Sequence, residues 1–179
     1  MNRKPVWRRL ALFVIAAVVI AADRYTKNLA RTYLPLHRSW NPIAWLDPIV
    51  TLTHIRNTGA AFGLFPNLGI VFVLVAVAVV VAIAVYYRQL ATASWVLQLA
   101  LGLQLGGAAG NMIDRIIYGY VIDFIDFRVW PVFNIADSSL VVGTILLAYY
   151  ALFVDRPREG DKARVDTPGA SAGDAAKPQ

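Results

Sequence analysis

The sequence contains no cysteine, and only 16% of its 179 residues are charged. Without cysteine, the chain has no disulfides, no thiolate nucleophile and no cysteine-based metal site. Its two histidines, His37 and His54, lie far apart without metal-ligand spacing, so we expect no metal centre. Soluble domains carry charge on about a quarter of their residues. This shortage of charge, with 58% hydrophobic residues, indicates a membrane protein.

The positive charge is scattered rather than concentrated in a nucleic-acid-binding surface. The net charge is +6, but the lysines and arginines lie between apolar runs and form no stripe with interleaved aromatic residues. We therefore expect no nucleic-acid partner. Orientation of the chain in a bilayer explains the charge better, because basic residues cluster beside the first and last apolar runs.

Four apolar runs predict four transmembrane helices with both termini in the cytoplasm. The first run resembles a signal peptide, but charged residues follow it where a small-residue cleavage site would lie, so we expect it to be retained. The polar residues 156–179 predict a disordered cytoplasmic tail after a membrane domain of residues 1–155. The predicted spans are approximately Trp7–Leu29, Leu68–Tyr87, Ala93–Asn111 and Asn134–Val154.

Residues 30–67 predict an extracytoplasmic subdomain in the first loop. Prolines interrupt any long helix there, and Trp40 and Trp45 suit the lipid headgroup layer. Ile49–Arg56 is rich in β-branched residues, and a turn signal at residues 57–59 separates it from a possible returning strand, Ala60–Phe65. The fold class is therefore an all-α membrane protein with a small β-sheet in this loop.

Carboxylates near the ends of apolar helices need a partner or a function, because a charge at membrane depth costs several kcal/mol. Asp23 and Lys27 are four residues apart with the acid first, so they can pair on a helix. Arg115 can neutralise Asp114, which makes Asp114 more structural than catalytic. Gly110 closes a run of small residues that allows close helix packing.

Asp123 and Asp137 are the candidates for chemistry. They are separated by 14 positions, and a chain reversal around Pro131 would bring them together. They would then share one proton, as in aspartic protease dyads, and could activate water. Two alternatives stay open on spacing alone. The carboxylates could line a proton or ion path, or they could stabilise a helical bundle that docks a partner.

Four blocks, in order, resemble the lipoprotein signal peptidase (signal peptidase II) family of bacterial inner-membrane aspartic peptidases. Each block alone is weak, but together they cover residues 23 to about 140 and are highly specific. The blocks are DRYTK from Asp23, NTGAAFG from Asn57, GNMIDR from Gly110 with VIDF from Val121, and FNIAD from Phe133.

The resemblance implies a catalytic dyad and a lipidated substrate. It implies cleavage of prolipoproteins on the amino side of a diacylglyceryl-modified cysteine near the extracytoplasmic face, inhibition by globomycin, and no metal or cofactor. A substrate that enters laterally from membrane lipid needs an open groove, so we expect a monomer. The implied catalytic residues are Asp123 and Asp137, and the implied substrate-site residues are Asp23, Lys27, Asn57, Asn111, Arg115 and Asn134.

Overall fold

The computed structural model describes residues 6–59, 71, 73–74, 77–82, 85 and 94–154, with side chains from Leu10 onward. The predicted strand Ala60–Phe65 and the tail 156–179 lie outside the described residues, as does much of the predicted second span, whose described residues are all helical. The described elements are α1 (Val6–Tyr33), β1 (Ser39–Trp40), a 3-10 turn (Ala44–Leu46), β2 (Thr51–Asn57), α2 (Trp95–Tyr118), β3 (Val121–Asp126) and α3 (Ile135–Tyr149), which continues as a π-helical turn (Tyr150–Val154).

Helix α1 changes the chemistry of its buried face along its length. Its first half buries apolar side chains at helical spacing, at Leu12, Ala16 and Val19. The same face then buries Asp23 and Lys27, which are 0% and 1% exposed. The predicted first span is therefore a helix, and its second half carries charge into the protein interior.

Helix α2 has defined caps at both ends. The Ser94 hydroxyl accepts a hydrogen bond from Leu97 N at 3.3 Å, and Gly119 ends the helix in the left-handed conformation with φ of 78°. The helix extends beyond the predicted end of the third span at Asn111, so Asp114 and Arg115 also belong to it. Asn111, Asp114 and Arg115 therefore lie within about one helical turn.

The small residues of α2 allow the three helices to approach closely. A Cβ atom added at Gly107 would lie 2.5 Å from the carbonyl oxygen of Ala136, and one added at Gly110 would lie 2.8 Å from Asp23 Oδ2. Both approaches are shorter than a real Cβ contact. Glycine at these positions therefore sets the distances from α2 to α3 and to α1.

Among the described residues, two helical segments are long and apolar enough to cross a membrane, Trp95–Tyr118 and Ile135–Val154. They correspond to the predicted third and fourth spans. Large apolar side chains are exposed on the outer faces of the helices, for example Val14, Val18 and Ile145. An exposed apolar exterior of this kind suits contact with lipid.

The sheet has three antiparallel strands in the order β1-β2-β3. The prediction that it belongs to the first loop is only partly right, because β3 follows α2 and contributes Asp123. The strand β3 was not predicted because its sequence, VIDFID, lacks the polar–apolar alternation of a surface strand. It combines β-branched and aromatic residues with two acids and is buried on both faces.

A bulge and a chain reversal shape the sheet beside Asp123. Two residues of β2, Thr53 and His54, lie opposite one residue of β3, between the pairs Leu52–Ile125 and Ile55–Asp123. After β3 the chain turns back through Arg128, whose φ is 64°. Phe133 N then donates to Ile125 O at 3.0 Å, which returns the chain alongside β3.

Gly107→Ala tests the packing of α2 on α3. The new methyl group has no space beside the Ala136 carbonyl, so we expect a loss of about 1–3 kcal/mol of stability, as for overpacked cores. Thermal unfolding in detergent measures the effect. The control is Ile117→Ala on the same helix, where the side chain is 58% exposed and we expect a change within about 0.5 kcal/mol. Equal melting temperatures for Gly107→Ala and wild type would contradict this packing.

Candidate active site

The interior of the protein is polar where the helices meet the sheet. Five of the six largest fully buried side chains are polar or charged: Lys27, Asn134, Asp23, Asp114 and Asp123, with Ile122 as the exception. Buried charges require partners, because removal from water without compensation costs several kcal/mol. The contacts of these side chains therefore define the candidate site.

Lys27 lies at the centre of the buried charges. Its Nζ lies 2.8 Å from Asp23 Oδ2 and 2.8 Å from Asp114 Oδ2, and it donates a hydrogen bond to Asn111 Oδ1 at 2.9 Å. The predicted pairing of Asp23 with Lys27 is confirmed. Asp23 Oδ1 also accepts from Ala136 N at 3.0 Å, which connects α1 to the first turn of α3.

Asp114 takes its cationic partners from α1. It forms ion pairs with Arg24 and Lys27, and its Oδ2 accepts from Ile122 N at 3.2 Å. Sequence spacing had identified only Arg115 as a partner, because residues 90 positions apart carry no local signal of contact. The positive charge of Arg115 lies near enough to interact with the carboxylates of Asp137, Asp123 and Asp114. Asp114 thus joins α1, α2 and β3, which fits the predicted structural function.

Asp123 lies on β3 and is 1% exposed. Asn57 Nδ2 donates to its Oδ2 at 2.9 Å, and Asn134 Nδ2 donates to its Oδ1 at 2.6 Å. Asn57 Oδ1 meanwhile accepts from Gly59 N at 3.0 Å. Asn57 is therefore both a residue of the turn predicted at 57–59 and an amide donor to Asp123.

Asp137 lies in the first turn of α3, where it completes a capping box with Asn134. Asn134 Oδ1 accepts from Asp137 N at 2.9 Å, and Asp137 Oδ2 accepts from Asn134 N at 3.2 Å. Asn111 Nδ2 donates to Asp137 Oδ1 at 2.7 Å. Asp137 thus serves as a helix-terminal acid and also faces the polar interior.

Asn134 connects the two carboxyl groups. Its side-chain amide donates to Asp123, while its backbone N–H donates to Asp137. The structure therefore brings together two acids that are 14 positions apart in the sequence. Burial, and after it the charge of Asp137, raise the pKa of Asp123 to about 7 against the opposing hydrogen bonds from Asn57 and Asn134. Near neutral pH such a pair can hold one proton and supply both an acid and a base.

The predicted substrate-site residues differ in how they contact the carboxyl groups of Asp123 and Asp137. Asn57, Asn111 and Asn134 contact the two carboxyl groups directly. Lys27 is connected to them by its hydrogen bond to Asn111, and Asp23 by its hydrogen bond from the backbone of α3. Arg24 was not predicted as a site residue, although it belongs to the block DRYTK. Trp40 and Trp45 are 55% and 75% exposed, on the outer part of the protein.

Comparison with known proteins adds an independent observation. The family model described as signal peptidase (SPase) II matches residues 15–153. Lipoprotein signal peptidase of Pelotomaculum thermopropionicum is 43% identical over 153 residues, covering 86% of this chain and 98% of the relative. The enzyme of that name from Rhodococcus jostii is 44% identical over 151 residues, covering 81% and 74%.

Two solved structures share the fold. One is a bacterial membrane enzyme determined by the in meso method at 2.3 Å resolution, with a TM-score of 0.73 and 32% identity, covering 83% of this chain and 93% of that one. The other, determined by the same method at 1.9 Å, has a TM-score of 0.70 and 34% identity, covering 81% and 94%.

Lys27→Met tests the buried charge cluster. The substitution keeps the length of the side chain but leaves Asp23 and Asp114 without the cation between them, so we expect a loss of about 3–5 kcal/mol in unfolding free energy. The control is Arg128→Ala, which breaks a 2.8 Å ion pair with Asp47 whose side chains are 44% and 57% exposed. That loss should stay under about 1 kcal/mol. Similar losses for both variants would contradict a central function for Lys27.

Proposed function

Because the chain belongs to the signal peptidase II family, a family of membrane proteases that remove signal peptides from prolipoproteins, we propose that it is an aspartic endopeptidase with Asp123 and Asp137 as its catalytic dyad. The observation that carries this proposal is that Asn134 donates hydrogen bonds to both carboxyl groups, of which that of Asp123 is buried and that of Asp137 is partly buried. The substrate is a diacylglyceryl-modified prolipoprotein, cleaved on the amino side of its lipidated cysteine.

We assign Asp137 as the general base. Its carboxylate accepts a backbone N–H at the start of α3 and the Asn111 amide, and both stabilise negative charge. Arg115 and Lys27 add positive charge nearby. Asp137 removes a proton from a water molecule, whose oxygen attacks the scissile carbonyl carbon.

We assign Asp123 as the acid of the pair, since a pKa raised to about 7 leaves a substantial protonated fraction near neutral pH. It donates its proton to the carbonyl oxygen as the tetrahedral intermediate forms. When the C–N bond breaks, Asp137 gives its proton to the leaving amine, and Asp123 recovers its own proton as the carbonyl re-forms. The signal peptide leaves with a new carboxyl group, and the lipidated cysteine becomes the new amino terminus.

The apolar exterior supports a substrate that arrives from the bilayer. The acyl chains stay in lipid while the peptide bond reaches the polar interior. We place the enzyme in the bacterial inner membrane as a monomer with cytoplasmic termini and an extracytoplasmic active site, inhibited by globomycin-type compounds. The sheet, with Trp40 or Trp45, clamps the substrate from above.

An ion pathway is less well supported by the distribution of charge. It requires ionisable groups along the depth of the helices, yet α2 has no charged residue from Trp95 to Asn111. Helix α3 has none after Asp137 up to Val154. In the described helices α2 and α3, the charges therefore cluster at the end where the sheet begins.

Asn substitution tests the dyad directly. Asp123→Asn and Asp137→Asn preserve shape but remove the acid or the base, so we expect cleavage of a purified diacylglyceryl prolipoprotein to fall by at least about 100-fold in each. The control is Asp126→Asn on the same strand, whose carboxylate accepts from Thr53 Oγ1 and Arg128 N. Its cleavage rate should stay within about threefold of wild type. Substantial activity in either dyad variant would eliminate the proposed mechanism.

The raised pKa of Asp123 predicts that stability and activity both fall as pH rises, in two different pH ranges. Cleavage should fall as pH rises above about 7, where the acid loses its proton. A carboxyl pKa raised on folding contributes stability fully below its unfolded value, near 3.8, and loses that contribution as pH rises to about 7. The loss is on the order of 4 kcal/mol.

Melting temperatures and cleavage rates across pH 4 to 9 check both trends. Asp123→Asn has no proton to lose there, so its melting temperature should decline less between pH 4 and 7 than that of wild type. Parallel stability curves for the two proteins would show that Asp123 titrates normally and would remove it as the acid.

A further inference from the structure

A groove with a volume of about 780 Å³ lies between the end of α1 and the first two strands. None of the hydrogen-bonding partners of the dyad lines it. Its size falls within the range of small-molecule sites, about 300–1,000 Å³. Its apolar wall is formed by Leu29, Tyr33, Leu34, Pro35, Trp40 and Leu52.

The groove continues a stripe of exposed apolar side chains along α1. The residues recur at intervals of four or seven, which places them on one face of the helix. Tyr25 and Tyr33 are 66% and 74% exposed. The stripe consists of Leu10, Val14, Val18, Tyr25, Leu29 and Tyr33. An apolar ligand in the groove can therefore extend along the helix without leaving apolar surface.

Arg38 places a positive charge in the same groove. Among the described arginine side chains, Arg24 and Arg128 pair with carboxylates, and Arg31 and Arg56 lie over tyrosine rings. The Arg38 guanidinium has no such partner in the described part of the chain. A cation beside an apolar groove complements a ligand with an anionic head and an apolar tail.

We propose that the groove binds an anionic phospholipid of the surrounding bilayer, with its phosphate at Arg38 and an acyl chain along α1. From Leu29 to Val18 the helix rises by about 16 Å. This matches half of a hydrocarbon core of about 30 Å, the depth that one acyl chain reaches. Tyr33 and Trp40 are 74% and 55% exposed beside the groove, and aromatic residues of this kind favour the headgroup level. The proposal does not depend on the peptidase activity.

Native mass spectrometry of the full chain in detergent tests the headgroup site. Phosphatidylglycerol and phosphatidylcholine are titrated separately, and we expect tighter binding of phosphatidylglycerol. Arg38→Gln should weaken phosphatidylglycerol binding about tenfold, the loss of one charge-assisted hydrogen bond, and weaken phosphatidylcholine binding less, because the choline cation already compensates the phosphate of that lipid. Arg56→Gln, another exposed arginine, is the matched control and should bind both lipids as wild type does.

A second variant tests the acyl-chain site. Tyr33→Ala removes part of the groove wall and should weaken the binding of both lipids by a similar factor. Val141→Ala, at a 59% exposed position on α3, should leave the binding of both lipids unchanged. Equal binding of the two lipids by wild type would overturn the proposal. So would Arg38→Gln and Tyr33→Ala variants that bind lipid normally but raise the KM for prolipoprotein, since the groove would then serve the substrate.

Discussion

The polar interior depends on the position of one buried cation, Lys27. Its ammonium group compensates Asp23 and Asp114 and donates to Asn111 Oδ1. This last contact orients the Asn111 amide, because its oxygen faces Lys27 and its nitrogen must face Asp137. A single side chain of α1 thereby connects the packing of the helices to the hydrogen bonding of the Asp137 carboxyl group in the candidate site.

The arrangement of polarity follows from this constraint. The charges cannot face lipid, so they lie where α1, α2 and α3 meet the sheet, while the outward faces of the helices remain apolar. Glycines at 107 and 110 permit the close approach that the cluster requires. Such burial raises the pKa of Asp123 to about 7, because the charged form of its carboxyl group is poorly solvated. Burial of Asp123 thus lowers stability near neutral pH and yields a carboxylic acid that can donate a proton there.

Most of the helices could be predicted from the sequence, and the elements and contacts that could not be predicted have physical causes. Apolar runs predicted α1, α2 and α3, and spacing alone predicted the Asp23–Lys27 pair, because a helix brings residues i and i+4 together. The strand β3 was missed because it is buried on both faces and so lacks alternation. The pairing of Asp114 with Arg24 was missed because no local periodicity relates two different helices.

The sequence by itself determined the membrane character, the helical segments and the identity of the chemically capable residues, since these depend on composition and short-range spacing. Only the tertiary structure decided that Asp123 and Asp137 share Asn134 as a hydrogen-bond donor. That proximity requires a strand, a reversal through Arg128 and a helix start in one register. Backbone hydrogen bonds between distant segments set this register, and no neighbouring residue in the sequence encodes it.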